Sequence, residues 1–104
     1  MEKEIIIIFP KIDFDQLLKE ENSDSKNKVQ DFFDQISECI NKKINSISID
    51  CSYLVSINSS ILAKFLYFQK RYKKFGIKFR FFNLSSNIKR ILLSLGFNDF
   101  FIID

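Results

Sequence analysis

The chain has 104 residues with no histidine and no tryptophan, only two glycines, one proline and two cysteines. Each scarcity excludes something. Without histidine there is no histidine-based triad, proton shuttle or histidine-ligated zinc site. The glycines, Gly76 and Gly96, lie far apart, whereas a Walker loop or a dinucleotide-binding loop needs several close together. Cys39 and Cys51 form neither a CxxC pair nor a disulfide framework and read as reduced, buried thiols. No run approaches the roughly 20 apolar residues of a membrane span. The opening Met1-Glu2-Lys3-Glu4 is acidic, and the run Ile5–Phe9 is too short for a signal core. A cytoplasmic protein is expected. With no paired-carboxylate motif either, no catalytic residue, metal site or cofactor is expected, and the chain does not read as an enzyme.

What is present is apolar and charged. Hydrophobic residues make up 46% of the sequence, including 13 phenylalanines, which suits a packed core. The length suits one domain over residues 1–104 that folds without disulfides or metal. The net charge of +3 conceals an asymmetry: residues 1–52 carry seven Lys against eleven Asp/Glu, and residues 53–104 carry nine Lys/Arg against two Asp. From Lys64 to Arg90 there is no acid. Such a stripe reads as a solvated helix face and sheet edge, or as a surface for nucleic acid or an acidic partner. No nucleic-acid motif accompanies it.

Periodicity divides the chain. Ile5–Phe9 is a continuous apolar run ended by Pro10, which suits a strand near a sheet edge. Ile12-Asp13-Phe14 can continue as a short extended piece, and the polar residues 15–25 read as a loop or a loose helical turn. Lys26–Lys43 is an amphipathic helix with Val29, Phe32, Phe33, Ile36 and Ile40 on one face. Asp24 or Ser25 can cap its start, and Lys42 and Lys43 suit its end. Residues 46–51 alternate, with Ile47, Ile49 and Cys51 opposite Ser46, Ser48 and Asp50, as in a half-buried strand. Asn58–Lys74 is a second helix, with Ile61, Phe65, Phe68 and Tyr72 in one row and Gly76 at its end. Ile77–Phe82 alternates again. Ser86–Leu95 is a third helix capped by Ser85, with Ile88, Leu92 and Leu95 inward and Gly96 at its end, and Phe100–Ile103 is a last strand.

Strands and helices thus alternate, which predicts an α/β fold with a mostly parallel or mixed sheet of about four strands. Two strands alternate cleanly, so helices are expected mainly on one face. Phe65, Phe68, Phe79 and Phe81 read as core. Phe97, Phe100 and Phe101 read as core or as an exposed patch.

The segment Ile47–Phe101 carries a more specific pattern. It runs through Ile49-Asp50-Cys51-Ser52, Ser56-Ile57-Asn58-Ser59-Ser60, the helix, Ile77–Asn83, Ser85-Ser86 and Leu92–Phe97. This resembles the STAS domain, the anti-sigma factor antagonist family. That pattern has a strand ending in aspartate, an apolar loop, Asp-Ser-Ser-Gly opening a helix, a further strand, and a helix ending in Leu-x-x-x-Gly. Asn58 stands where the pattern has aspartate, and Ile61 where it has glycine.

The resemblance implies that Ser59 is a phosphoacceptor for a serine kinase that is also an anti-sigma factor. The unphosphorylated form would bind that partner and phosphorylation would release it. Asp50, Ser56, Asn58 and Ser60 would belong to the docking surface. Ser85 or Ser86 would be a second phosphosite, as in stressosome members, with Lys89 and Arg90 one turn on. Residue types alone support a plainer account, in which Asn58, Ser59 and Ser85 are helix caps and Asp50 is solvated. The alternatives are a phosphorylation-independent adaptor in a stressosome-like or transporter-associated complex, and a nucleic-acid-binding module using the basic stripe.

Overall fold

The computed structural model of the chain describes residues 3–13 and 24–104. Phe14, most of the loop expected at residues 15–25, and the side chain of Ile40 lie outside the described residues. Among the described residues, four strands form one sheet in the order β1-β2-β3-β4, with every neighbouring pair parallel. The strands are β1 (Glu4–Ile8), β2 (Ser46–Asp50), β3 (Lys78–Phe82) and β4 (Ile102–Ile103). Between them run the helices α1 (Asp24–Asn41), α2 (Ser59–Tyr72) and α3 (Ser86–Ser94). The expected α/β architecture is therefore observed, and the sheet is wholly parallel.

Sequential order explains the layering. Parallel crossovers are right-handed, so strands added one after another in the same direction place each connecting helix on the same side. Burial agrees. Ile7, Phe9, Ile47, Ile49, Cys51, Phe79 and Phe81 point to one side and are buried. They meet Val29, Phe32, Phe33 and Ile36 of α1, Ile61 and Phe65 of α2, and Ile88 and Leu92 of α3. Phe65 is central, with its ring 5.0 Å from Phe81, 5.3 Å from Phe33 and 6.0 Å from Phe32. Tilted and edge-on pairs of this kind add to plain area burial.

The other face is open but not merely solvated. Register places Ile6, Ser48, Arg80 and Ile102 in one row across it. Ser48 donates to Glu4 Oε1 at 2.7 Å. Arg80 pairs with Glu4 at 3.8 Å and with Asp104, and its guanidinium lies 5.2 Å from the centre of the Phe82 ring. This cover leaves Ser48 0% exposed.

Several boundaries differ from expectation for local reasons. Asp24 and Ser25 are both helical, and the buried Ser25 Oγ accepts from Asp13 N–H at 2.9 Å. Helix α1 stops at Asn41 rather than Lys43 because Lys43 turns left-handed, with φ 57°. Ile44 N–H then reaches back to the Cys39 carbonyl at 3.1 Å, closing the helix with a six-to-one bond. Beyond α2, Lys73–Phe75 tighten into a 3-10 turn before Gly76, which has φ 73°. Phe97–Asp99 form another 3-10 turn, shortening the last strand to Ile102–Ile103. Phe97 and Phe101 stack at 5.3 Å within the core, so of the three candidate patch phenylalanines only Phe100 is exposed.

Candidate functional site

In a parallel sheet whose helices follow their strands, the helix N-termini gather at the carboxyl ends of the strands. Here that end carries residues 50–61 and 82–88, and most of the predicted site residues with them. Asp50 ends β2. Its Oδ1 accepts from Ser52 N–H at 3.0 Å, from Ser52 Oγ at 2.5 Å and from Asn83 Nδ2 at 3.2 Å. The Ser52 hydroxyl, then its N–H, hold the Asp50 carboxyl below the ordinary range, and Asn83 adds to them against a weak opposing effect of burial. Cys51 N–H donates to the Phe82 carbonyl at 2.9 Å. Asp50 is thus a brace between the loop after β2 and the loop after β3. Cys51 lies behind it, its thiol pushed up to about 12 chiefly by burial.

Ser52 and Asn83 were not picked out by the sequence reading. Asn83 has φ 56°, a left-handed conformation that asparagine tolerates better than most residues. An asparagine directly after an alternating strand was the available signal. Its hydrogen bond to a residue in the preceding βα unit was not readable, since it depends on tertiary placement.

The loop after Cys51 is pinned at one point. Leu54 is buried, and its N–H donates to the Cys51 carbonyl at 3.0 Å. On either side of it Tyr53 and Val55 are exposed, Val55 by 73%. Ser56 is exposed and Ile57 is half-buried against the core. The loop therefore presents a small apolar surface beside the start of α2.

Four consecutive residues at that start do different things. Asn58 is the N-cap, extended at φ −124° and ψ 165°, and its Oδ1 accepts from Ile61 N–H at 2.9 Å. Ser59 and Ser60 are the first helical residues and both are exposed. Ile61 is buried in the core, so the branched side chain at the glycine position is absorbed by packing. The cap is made by Asn58, not Ser59. At α3 the pattern repeats: Ser85 is the cap, accepting from Ile88 N–H at 3.2 Å, and Ser86 is the exposed first residue. Neither helix has an acidic residue in its first turn. Both N-termini thus leave their positive dipole end free of nearby carboxylates on their own helix.

The basic stripe is divided by the fold among α2, β3 and α3. Arg71 lies on α2, where it donates to Tyr67 Oη at 2.8 Å. Arg80 points to the open face of the sheet among Glu4, Asp104 and Phe82. Arg90, on α3, donates to Asn87 Oδ1 at 3.0 Å. The three arginines thus lie on different elements, whereas Lys70, Arg71 and Lys74 stay together around one groove at the end of α2.

Among the described residues, no group of three or more His, Cys, Asp or Glu side chains is placed to hold a metal ion. No described helix is long and apolar enough to cross a membrane. A model of the STAS domain family matches residues 25–104. No curated protein and no solved structure matches the chain.

Proposed function

The chain belongs to the STAS domain family, whose members are generally binding modules rather than enzymes, and we propose that it is an anti-sigma factor antagonist controlled by phosphorylation at Ser59. Its partner is an anti-sigma factor that is also a serine kinase. The docking surface is the loop Tyr53–Asn58 with the first turn of α2, and Asp50 braces it from behind. The observation that carries this reading is the division of labour at α2: Asn58 caps, Ile61 packs, and Ser59 is exposed and is not the cap.

A phosphate at Ser59 adds roughly −1.5 to −2 charges next to a helix N-terminus that favours negative charge. The fold tolerates it, because Ser59 lies outside the core. A partner surface packed against Val55 and Ser59 does not, since it must then accommodate a dianion. The switch acts on the complex and leaves the fold intact. Ser86 takes the same position at α3 and is the better placed of the second serine pair, because Ser85 is engaged as the cap.

The test is recovery of partners from the native cell on immobilised full-length chain, with phosphosite mapping of the bound and unbound pools. Ser59→Ala should retain the partner and lose the phosphate, and Ser59→Asp should lose the partner. Equal recovery by Ser59→Asp and Ser59→Ala would leave a phosphorylation-independent adaptor as the correct description.

A further inference from the structure

The two edges of the sheet are finished differently. β4 has two residues, a short edge that offers little to another strand. β1 has five, of which four are isoleucine. The direction of its backbone groups follows from its neighbours. Phe9 N–H donates to the Asp50 carbonyl at 2.9 Å, and the Lys3 carbonyl accepts from Ser46 N–H at 3.1 Å. Backbone groups alternate in direction along a strand, so those of Lys3, Ile5, Ile7 and Phe9 serve β2. Those of Glu4, Ile6 and Ile8 face away, and β1 is the outermost strand of the described sheet.

Edge strands are ordinarily guarded by charge, proline, a bulge or shortness. β1 has little of this. Its one charged residue, Glu4, is engaged by Ser48 and Arg80. Pro10 lies beyond its end. Ile6 and Ile8 are 61% and 55% exposed.

We propose that β1 pairs antiparallel with β1 of a second copy of this chain about a two-fold axis at Ile6. That register sets Ile6 opposite Ile6 of the second copy and Glu4 opposite Ile8, so all three outward-facing residues find partners. A two-fold centred on Ile5 or Ile7 leaves one of them without a partner. On the helix-covered face the same register sets Ile5 opposite Ile7, and cross-strand pairs of β-branched residues are favourable. The Arg80 contact offsets the charge of Glu4 at the junction. The unequal edges argue for a closed pair: β1 on β1 is isologous and ends at two copies, whereas β1 on β4 would propagate and has only two residues to pair with. The result is a continuous eight-stranded sheet.

Sedimentation of the full chain over a range of concentrations tests this, with hydrogen exchange of the β1 amides as a second readout. A monomer–dimer equilibrium is expected, with the Ile6 and Ile8 amides slowing as dimer forms. Ile6→Pro removes an outward N–H without removing any β1–β2 bond, and should weaken the dimer about tenfold or more while far-UV circular dichroism is unchanged. Ile6→Lys, which leaves the backbone intact, should do the same by placing two cations across the axis. The proposal is overturned if Ile6→Lys dimerises as tightly as the native chain, or if the dimer leaves the Ile6 amide in free exchange. A chain that stays monomeric at every concentration also overturns it, and leaves the edge to a strand from another protein.

Discussion

Replacing Asn58 by alanine tests the central structural premise of the proposed Ser59 switch. The Asn58 side chain satisfies Ile61 N–H at 2.9 Å, one of the orphan donors at the start of α2. Losing an N-cap of this type costs about 1 kcal/mol. For a domain of this size that corresponds to a fall in Tm of about 5 °C. Asn58→Asp keeps the acceptor and adds a charge where α2 has no acid in its first turn. It should gain about 0.3–1 kcal/mol at neutral pH and low salt. Ser59→Ala should stay within about 0.5 kcal/mol of the native chain, since it removes an exposed hydroxyl that is not the cap. Thermal unfolding followed by circular dichroism, with urea titration as a check, measures all three. If Ser59→Ala costs as much as Asn58→Ala, Ser59 is structural, and the premise that its hydroxyl is available to a kinase is wrong.

Three further outcomes follow from the same geometry. Lys43→Gly should stabilise the fold by about 1 kcal/mol by relieving a non-glycine residue at φ 57°, readable as a rise in urea midpoint. The Asp50 carboxyl is held below its ordinary value of 3.8, so the unfolded chain takes up that proton first as pH falls. Its contribution is present above that value and lost as pH drops through the lower folded value, and Asp50→Asn should flatten that part of the stability curve, measured by urea unfolding from about pH 5 downward. Cys39 and Cys51 are both buried with raised pKa values, Cys51 at about 12. Neither should react with a thiol reagent at mildly alkaline pH until denaturant is added, when both should.

Periodicity was enough to read the core faces of α1 and α2 and the alternation of β2 and β3, because each depends on one element meeting one apolar layer. On α3 it placed Ile88 and Leu92 in the core, but Leu95, read as inward with them, is 55% exposed because the helix ends at Ser94 and the chain turns away at Gly96. Two kinds of feature escaped it. The first is the helix end without a glycine: Asn41-Lys42-Lys43 contains no residue that announces a left-handed turn, and the stop at Asn41 depends on Ile44 packing back toward the core. The second is the contact between distant segments. Ser48 read as part of the polar face of a half-buried strand, yet it is 0% exposed, with Glu4 hydrogen-bonded to it and Arg80 beside it. Asp50 read as part of the docking surface or as a solvated residue, and its partners prove to be Ser52 and Asn83. Phe97 and Phe101 could be assigned to core or surface only once the 3-10 turn after Gly96 folded them inward. The family pattern was legible in Ile47–Phe101 because its serines, glycines and apolar positions mark helix starts, helix ends and strands that sit close in sequence.

The two departures from that pattern have different physical weight. Ile61 is a loss of close approach on paper, but its side chain is fully enclosed by the core, so the position has been repacked rather than disturbed. Asn58 keeps the geometry of a capping aspartate and removes its charge. A carboxylate at that position would sit beside any phosphate on Ser59 and repel it. With asparagine the helix N-terminus meets the phosphate without that repulsion, while a kinase that recognises the carboxylate loses a contact. The substitution therefore separates two steps that an aspartate would couple. It favours the phosphorylated state once formed and disfavours recognition by an enzyme that reads the acid. On the proposed function, Asn58→Asp should raise the rate of phosphorylation by such a kinase and raise the second pKa of the phosphoserine at the same time. Phosphorus NMR titration of the modified chain measures the second effect independently of the first. A phosphate whose pKa is the same in the native chain and in the Asn58→Asp variant would show that the group points away from the cap, and that the helix N-terminus is not what stabilises it.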